Sequence, residues 1–70
     1  MISYAPLWET MKKRGMTTYT LEYKANPPIS SSTIRRLKAG ESVSSNTLDS
    51  LCRILDCEIS DIIAYLPDKE

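Results

Sequence analysis

The chain has no histidine, only two glycines and only two cysteines among its 70 residues. Without histidine, and with only Cys52 and Cys57, an ordinary structural zinc site cannot be assembled. Two cysteines are also too few for a disulfide scaffold. The glycines do not form a phosphate-cradling loop, and no carboxylates pair in a plausible cleft. With no histidine either, no catalytic constellation can be nominated, and the chain is not expected to be an enzyme or to hold a cofactor. No apolar run approaches the ~20 residues that a membrane span needs. The Met1-Ile2-Ser3-Tyr4 start lacks the charged and apolar regions of a signal peptide. These absences leave the expectation of a reduced, cytoplasmic domain with no membrane partner.

What is present is an ordinary globular mixture, 41% hydrophobic and 26% charged,. A chain this short buries only about 60% of its unfolded surface, which argues against a large enclosed site. The expectation is one domain over residues 1–70. Nine basic and nine acidic side chains give zero net charge, but they are unevenly placed. Residues 1–40 carry seven basic and two acidic side chains, net +5; residues 41–70 carry two basic and seven acidic, net −5. Such asymmetry points to a surface that faces a polyanion.

Hydrophobic spacing predicts an all-α bundle of four to five short helices, with no period-two segment of strand length. Tyr4, Leu7, Trp8 and Met11 fall at i, i+3, i+4 and i+7 and predict a helix over 4–14. Ser3 caps it, Pro6 sits harmlessly in its first turn, and Gly15 ends it. Thr17 caps a second helix, 18–25, with Leu21 and Ala25 on one face. Asn26-Pro27-Pro28 stops it. Ser30 caps a third, 31–38, with Ile34 and Leu37 inward and Gly40 beyond its end. Ser44 caps a fourth, 45–55, with Leu48, Leu51, Cys52 and Leu55 inward. A short fifth follows Ser60, with Ile62, Ile63 and Leu66 apolar and Pro67 as the stop. Trp8 and Met11 read as core. Cys52 and Cys57 read as small packed side chains, because a C-x4-C spacing without further ligands is neither a metal nor a redox signature. Tyr19 and Tyr23, at i and i+4, are read as shielding the core. Asp49, Asp56, Glu58 and Asp61 form an acidic end.

The 31–38 helix carries the functional reading. It opens on Ser30-Ser31-Ser32-Thr33, short hydroxyl side chains that let a helix tip approach another molecule closely. Free N–H groups and the positive dipole end suit a phosphate there. Arg36 lies four residues after Ser32 on the same outward side. Arginine pairs bidentately with guanine O6 and N7, and hydroxyls bond phosphate or base edges. A helix with that tip and that guanidinium one turn in fits a major groove.

With these residues in place the sequence resembles the lambda-repressor/Cro-type family of bacterial and phage helix-turn-helix regulators, over roughly residues 4–66. The resemblance rests on Met16-Thr17 and Leu21, on the run from Ile29 through Ser30-Ser31-Ser32-Thr33-Ile34 to Leu37-Lys38-Ala39-Gly40-Glu41, on Ser44 to Leu55, and on Ile59-Ser60-Asp61-Ile62-Ile63. It implies a lambda-repressor-like fold, with a helix-turn-helix unit at about 17–39. It also implies a small transcriptional regulator that binds double-stranded DNA by sequence, with the 31–38 helix in the major groove. Carried over by position, Ser31, Ser32 and Arg36 become base contacts. Thr18, Ser30 and the start of the fourth helix, Ser44 and Asn46, become backbone contacts. Charge and geometry add Arg35 and Lys38 as phosphate contacts. The sequence leaves the oligomeric state open; if the chain forms a homodimer, the fifth helix, at Ile62, Ile63, Tyr65 and Leu66, is the expected patch.

The sequence departs from the family pattern twice. The family joins its second and third helices by a tight turn around one glycine, whereas Asn26-Pro27-Pro28 makes a longer connection. Glu22 stands where the family has a small residue in the middle of the second helix. An unpaired buried carboxylate is costly. Glu22 must therefore either pair with Lys24, Arg35 or Arg36 or be given room by a more distant 31–38 helix. The other reading of the chain is a protein-interaction module on the same fold, as a phage or toxin–antitoxin regulatory partner.

Overall fold

Three helices of nine, nine and eleven residues carry the architecture, and all three end in the same way. The computed structural model describes residues 1–68. Within it, α1 spans Ala5–Lys13, α2 Ser31–Ala39 and α3 Ser45–Leu55. After α1, Gly15 takes a left-handed φ of 67° and the Met16 N–H donates back to the Met11 carbonyl at 2.9 Å. After α2, Gly40 takes φ 76° and the Glu41 N–H donates to the Arg36 carbonyl at 2.8 Å. After α3, Asp56 takes φ 51° and the Cys57 N–H donates to the Cys52 carbonyl at 3.1 Å. Each is a Schellman closure, in which one left-handed residue turns the chain and satisfies carbonyls that the helix leaves open.

The helix starts also follow side-chain chemistry. Ser30 accepts from the Thr33 N–H at 3.3 Å, and Ser44 accepts from the Thr47 N–H at 3.2 Å. Both residues are the N-caps predicted for these helices. At α1 the cap position belongs to Tyr4, and Ser3 accepts instead from the Ala5 N–H at 3.2 Å. Thr17 and Thr20 bond reciprocally, each backbone N–H reaching the other's hydroxyl at 3.4 and 3.3 Å.

The second helical segment differs in winding from the expected α-helix. Residues 18–24 are helical, but Thr20–Lys24 is a π-helix and Ala25 is already extended. Leu21 is its buried residue. The chain then bulges through Asn26-Pro27-Pro28 and returns, because the Ile29 N–H donates to the Leu21 carbonyl at 2.9 Å and Ile29 is itself buried.

The C-terminal part corrects the sequence reading. No fifth α-helix follows Ser60 among the described residues. A single 3-10 turn, Ile59–Asp61, is capped by Glu58 rather than by Ser60, with the Glu58 N–H donating to Asp61 Oδ2 at 3.1 Å. The chain then extends into β2, Ala64–Tyr65, which pairs antiparallel with β1, Ile2–Ser3. Ile2 faces Tyr65 and Ser3 faces Ala64, and the Leu66 N–H continues the ladder to the Met1 carbonyl at 2.8 Å. Two-residue strands are too short to leave an alternating pattern. Their partners lie some 60 residues apart, so local periodicity could not reveal them.

The core gathers Tyr4, Leu7, Met11, Leu21, Ile29, Ile34, Leu37, Leu51, Leu55 and Ile62 from α1 and its cap, the π-wound segment, α2, α3, the return at Ile29 and the residue after the 3-10 turn. Trp8, Leu48, Cys52 and Cys57 pack partly buried against it. Polar groups tie the periphery to it. The Tyr4 hydroxyl donates to the Glu41 carbonyl at 2.7 Å, Thr10 Oγ1 to the Asp61 carbonyl at 2.7 Å, and Arg14 Nη2 to the Asp56 carbonyl at 3.1 Å.

Leu51 is fully buried on the inner side of α3. Leu51→Ala should therefore lower the free energy of unfolding by about 2–5 kcal/mol, through lost transfer energy and the cavity left behind. Urea titration followed by circular dichroism measures this directly. A loss under about 1 kcal/mol would mean that the core is not packed as described.

Candidate nucleic-acid interface

Ile34 and Leu37 are buried, and that fixes the rotation of α2 about its axis. Ser31, Ser32, Arg35, Arg36 and Lys38 are consequently exposed, and Ser30 is exposed at the cap. None of the three residues expected to touch bases is packed inward or covered by the Asn26-Pro27-Pro28 bulge. The Ser32 hydroxyl lies 3.2 Å from the Ser30 hydroxyl, and Ser30 Oγ also donates to Thr33 Oγ1 at 2.9 Å. The tip of α2 is thus a chained set of hydroxyls rather than isolated ones.

Two adjoining hollows bring most of the other expected contacts together. One, of about 250 Å³, lies between the π-wound segment and α2 and is lined by Thr18, Glu22, Ser31, Ile34, Arg35 and Lys38. The other, of about 260 Å³, lies between the proline bulge and the starts of α2 and α3. Its lining is Pro27, Pro28, Ile29, Ser30, Thr33, Asn46, Thr47 and Ser50. Thr18, Ser31, Arg35 and Lys38 therefore share one hollow, and Ser30 and Asn46 share the next. Ser32, Arg36 and Ser44 are exposed but line neither. Two helix N-termini open on the second groove, and their unpaired N–H groups and dipoles favour negative charge there.

Thr33, Thr47 and Ser50 join this groove without having been singled out in the sequence. A threonine three residues beyond a cap was the available signal for two of them, since Thr33 and Thr47 answer the caps Ser30 and Ser44; Ser50 carried none.

Glu22 is the acidic member of the first hollow. It is half-buried and, among the described residues, makes no ion pair with Arg35, Lys38 or any other cation. Its nearest effect is on Tyr23. The carboxylate holds the phenol's proton, first by hydrogen bonding and then by its charge, so the Tyr23 pKa rises above its ordinary value. Tyr19 and Tyr23 do not shield the core as expected. They are 60% and 66% exposed and pack on each other, with ring centroids 4.8 Å apart and planes tilted by 43°.

The +5 half of the sequence is not one face of the molecule. Lys13 and Arg14 line a hollow with Thr10 and Asp61, at the acidic end. Asp49 in α3 is paired with Arg53 at 3.0 Å. The expected dimer patch changes too, because Ile62 is completely buried in the core and Ile63 packs against it. Only Tyr65 and Leu66 of that set are exposed, on or beside the two-stranded ribbon.

A bundle of short helices that holds a second helix out by its hydroxyl tip and basic side is a helix-turn-helix fold. The chain belongs to the family of Cro/C1-type helix-turn-helix DNA-binding domains, whose profile matches residues 6–68. Among solved structures it is similar to the crystal structure of the transcriptional regulator VanUg. The two share 34% sequence identity at a TM-score of 0.83, over 96% of this chain and 87% of that one. No curated protein matches the chain at a significant level.

Ser30 both caps α2 and stands in the groove, so its structural share can be measured without any ligand. Ser30→Ala should cost about 1 kcal/mol of stability, the usual worth of an N-cap hydroxyl. Thermal unfolding checks it, and an unchanged midpoint would show that the cap bond to Thr33 contributes nothing.

Proposed function

We propose that this domain is a sequence-specific regulator of transcription of bacterial or phage type, which lays α2 in the major groove of double-stranded DNA from a cytoplasmic location. The observation that carries this reading is the outward, hydroxyl-tipped and basic side of α2, flanked by hollows that collect Thr18, Ser30 and Asn46. In this reading Ser31, Ser32 and Arg36 meet base edges. Thr18, Ser30, Arg35, Lys38, Ser44 and Asn46 meet phosphates. Arg36, exposed one turn from the tip, has the reach and the fork geometry for a guanine edge. Arg35 and Lys38, across the first hollow from Thr18, act through charge, and Asn46 offers its side chain and the α3 start to a second phosphate. The single domain 1–70 carries the whole unit, with the helix-turn-helix at about 17–39. Two copies bound to adjoining half-sites would meet through Tyr65 and Leu66 together with Met1 and Ile2, which are also exposed.

Selection of bound duplexes from a random pool tests this reading, with titrations of the selected duplex at several salt concentrations. Affinity should fall steeply with salt as phosphate contacts release counterions. Absence of duplex binding at low salt would refute it. Arg36→Ala should relax preference at one base position, at a cost of about 1–3 kcal/mol on the selected duplex. Lys38→Ala should weaken all duplexes to a similar degree and reduce the salt slope by about 1.

Glu22 gives a prediction of opposite sign. Its carboxylate stands in the hollow with Arg35 and Lys38, neutralised by neither. Glu22→Gln should tighten binding to every duplex by roughly tenfold at low salt, with the gain shrinking as salt is added. Parallel fluorescence-anisotropy titrations of the two proteins decide it, and equal affinities would mean that the carboxylate does not face the phosphates.

A further inference from the structure

The Schellman closure of α3 differs from the other two in what it brings together. This geometry sets the side chain of the residue after the left-handed turn against the side chain five positions earlier. After α1 those two residues are Met11, in the core, and Met16, packed against it. After α3 they are Cys52 and Cys57, both free thiols and both partly buried. The spacing alone carries no redox signature, so the sequence gives no reason to pair them; the left-handed Asp56 does.

We propose that Cys52 and Cys57 form a dithiol modification site, which a low-molecular-weight disulfide such as oxidised glutathione converts to an intramolecular disulfide at the end of α3. The backbone bond of 3.1 Å between Cys57 N and Cys52 O brings the two Cα atoms within reach of the ~4.4–6.8 Å that disulfides span,. A second observation comes from the thiols themselves. Cys57 is raised above its ordinary pKa first by burial, then by the charges of Cys52 and Asp61 and by a side-chain hydrogen bond with Cys52, against a lowering by Arg14. Both side chains pack partly buried against the same core cluster at the end of α3, and Asp61 of the 3-10 turn and Arg14 beyond α1 are the charged neighbours that act on Cys57.

The chemistry is thiol–disulfide exchange. One cysteine, as thiolate, attacks a sulfur of oxidised glutathione, forming a mixed disulfide and releasing one glutathione thiolate. The second cysteine, as thiolate, attacks the protein-side sulfur of that mixed disulfide and displaces the second glutathione. The cysteine pair loses two electrons, the glutathione disulfide gains them, and the two thiol protons end on the two glutathione molecules. The raised Cys57 pKa leaves less of this thiol as thiolate and so slows the step in which Cys57 attacks,. The site lies away from the α2 face. Cys52 is eight residues along α3 from Ser44, about 12 Å at the helical rise.

The test equilibrates the folded chain with glutathione redox buffers, quenches with acid and reads the mass. The wild-type protein should accumulate a species that has lost two hydrogens and carries no glutathione. Cys52→Ser and Cys57→Ser should each stop at a single glutathione adduct, and neither substitution touches the α2 surface. The same equilibration in concentrated urea removes the fold. The equilibrium constant for closing the disulfide should be at least tenfold larger in the folded chain. Stable double glutathione adducts in the folded wild type, or a closing constant no larger than in urea, would overturn the proposal.

Discussion

The face that α2 offers depends on two buried side chains. A nine-residue helix is too short to persist on its own in water, so its existence and its rotation both come from tertiary burial. Ile34 and Leu37, three residues apart, supply that burial. Once both point into the core with Leu21, Leu51 and Leu55, the hundred-degree step of the helix leaves Ser31, Ser32, Arg35, Arg36 and Lys38 no place but outside. The Ile29 to Leu21 backbone bond holds the entry of α2 against the preceding segment, across the proline bulge. The hydroxyl tip is therefore placed by apolar packing rather than by polar bonds to the rest of the protein.

The helix ends were the part most legible from residues alone. Serine or threonine at a cap acts through one hydroxyl and one N–H a few residues ahead, which is local chemistry that a sequence displays. Thr17, Ser30 and Ser44 all act as read, and the α3 bounds of 45–55 match. Gly15 and Gly40 were legible as stops for the complementary reason, since glycine enters the left-handed region without a Cβ clash. Asp56 does the same work with a side chain that only tolerates that region, so the end of α3 could be seen but its geometry could not. The consequence was that Cys52 and Cys57 read as two unrelated packed residues.

What stayed hidden depended on partners distant in sequence or on the room around a side chain. Ile62, Ile63 and Leu66 have spacing compatible with a helix. Pairing of Ala64–Tyr65 with Ile2–Ser3 draws the chain out instead, which puts Ile62 in the core and removes it from any interface. The residues expected at the candidate interface were legible as types and as an exposed set. Their division between two hollows was not, because it follows from the π-winding of Thr20–Lys24 and the outward path of Asn26-Pro27-Pro28. Glu22 was visible as a misfit. It is neither in a salt bridge with a described residue nor fully buried but half-exposed beside Tyr23, in the hollow it lines with Arg35 and Lys38.

Zero net charge and a polyanionic partner are compatible once charges are placed in space. Beyond a Debye length of about 8 Å at physiological salt, exposed charges are largely screened, so a bound phosphate responds to its immediate neighbours and not to the chain's sum. Around α2 those neighbours are Arg35, Arg36 and Lys38, the N-termini of two helices, and one opposing carboxylate. The acidic groups Asp49, Asp56 and Asp61 lie near the middle of α3, just past its end and in the 3-10 turn. Asp49 there is spent on Arg53, Arg14 is tied to the Asp56 backbone, and Lys13 stands beside Asp61. The N-terminal half of the sequence thus overstates the basic face by at least two residues, and Glu22 lowers it further. What remains is a modest local excess of positive charge joined to a precise hydrogen-bonding tip. If α2 reads base edges as proposed, that balance favours recognition through fitted contacts over non-specific attraction to any phosphate backbone, because the electrostatic term common to all duplexes is kept small.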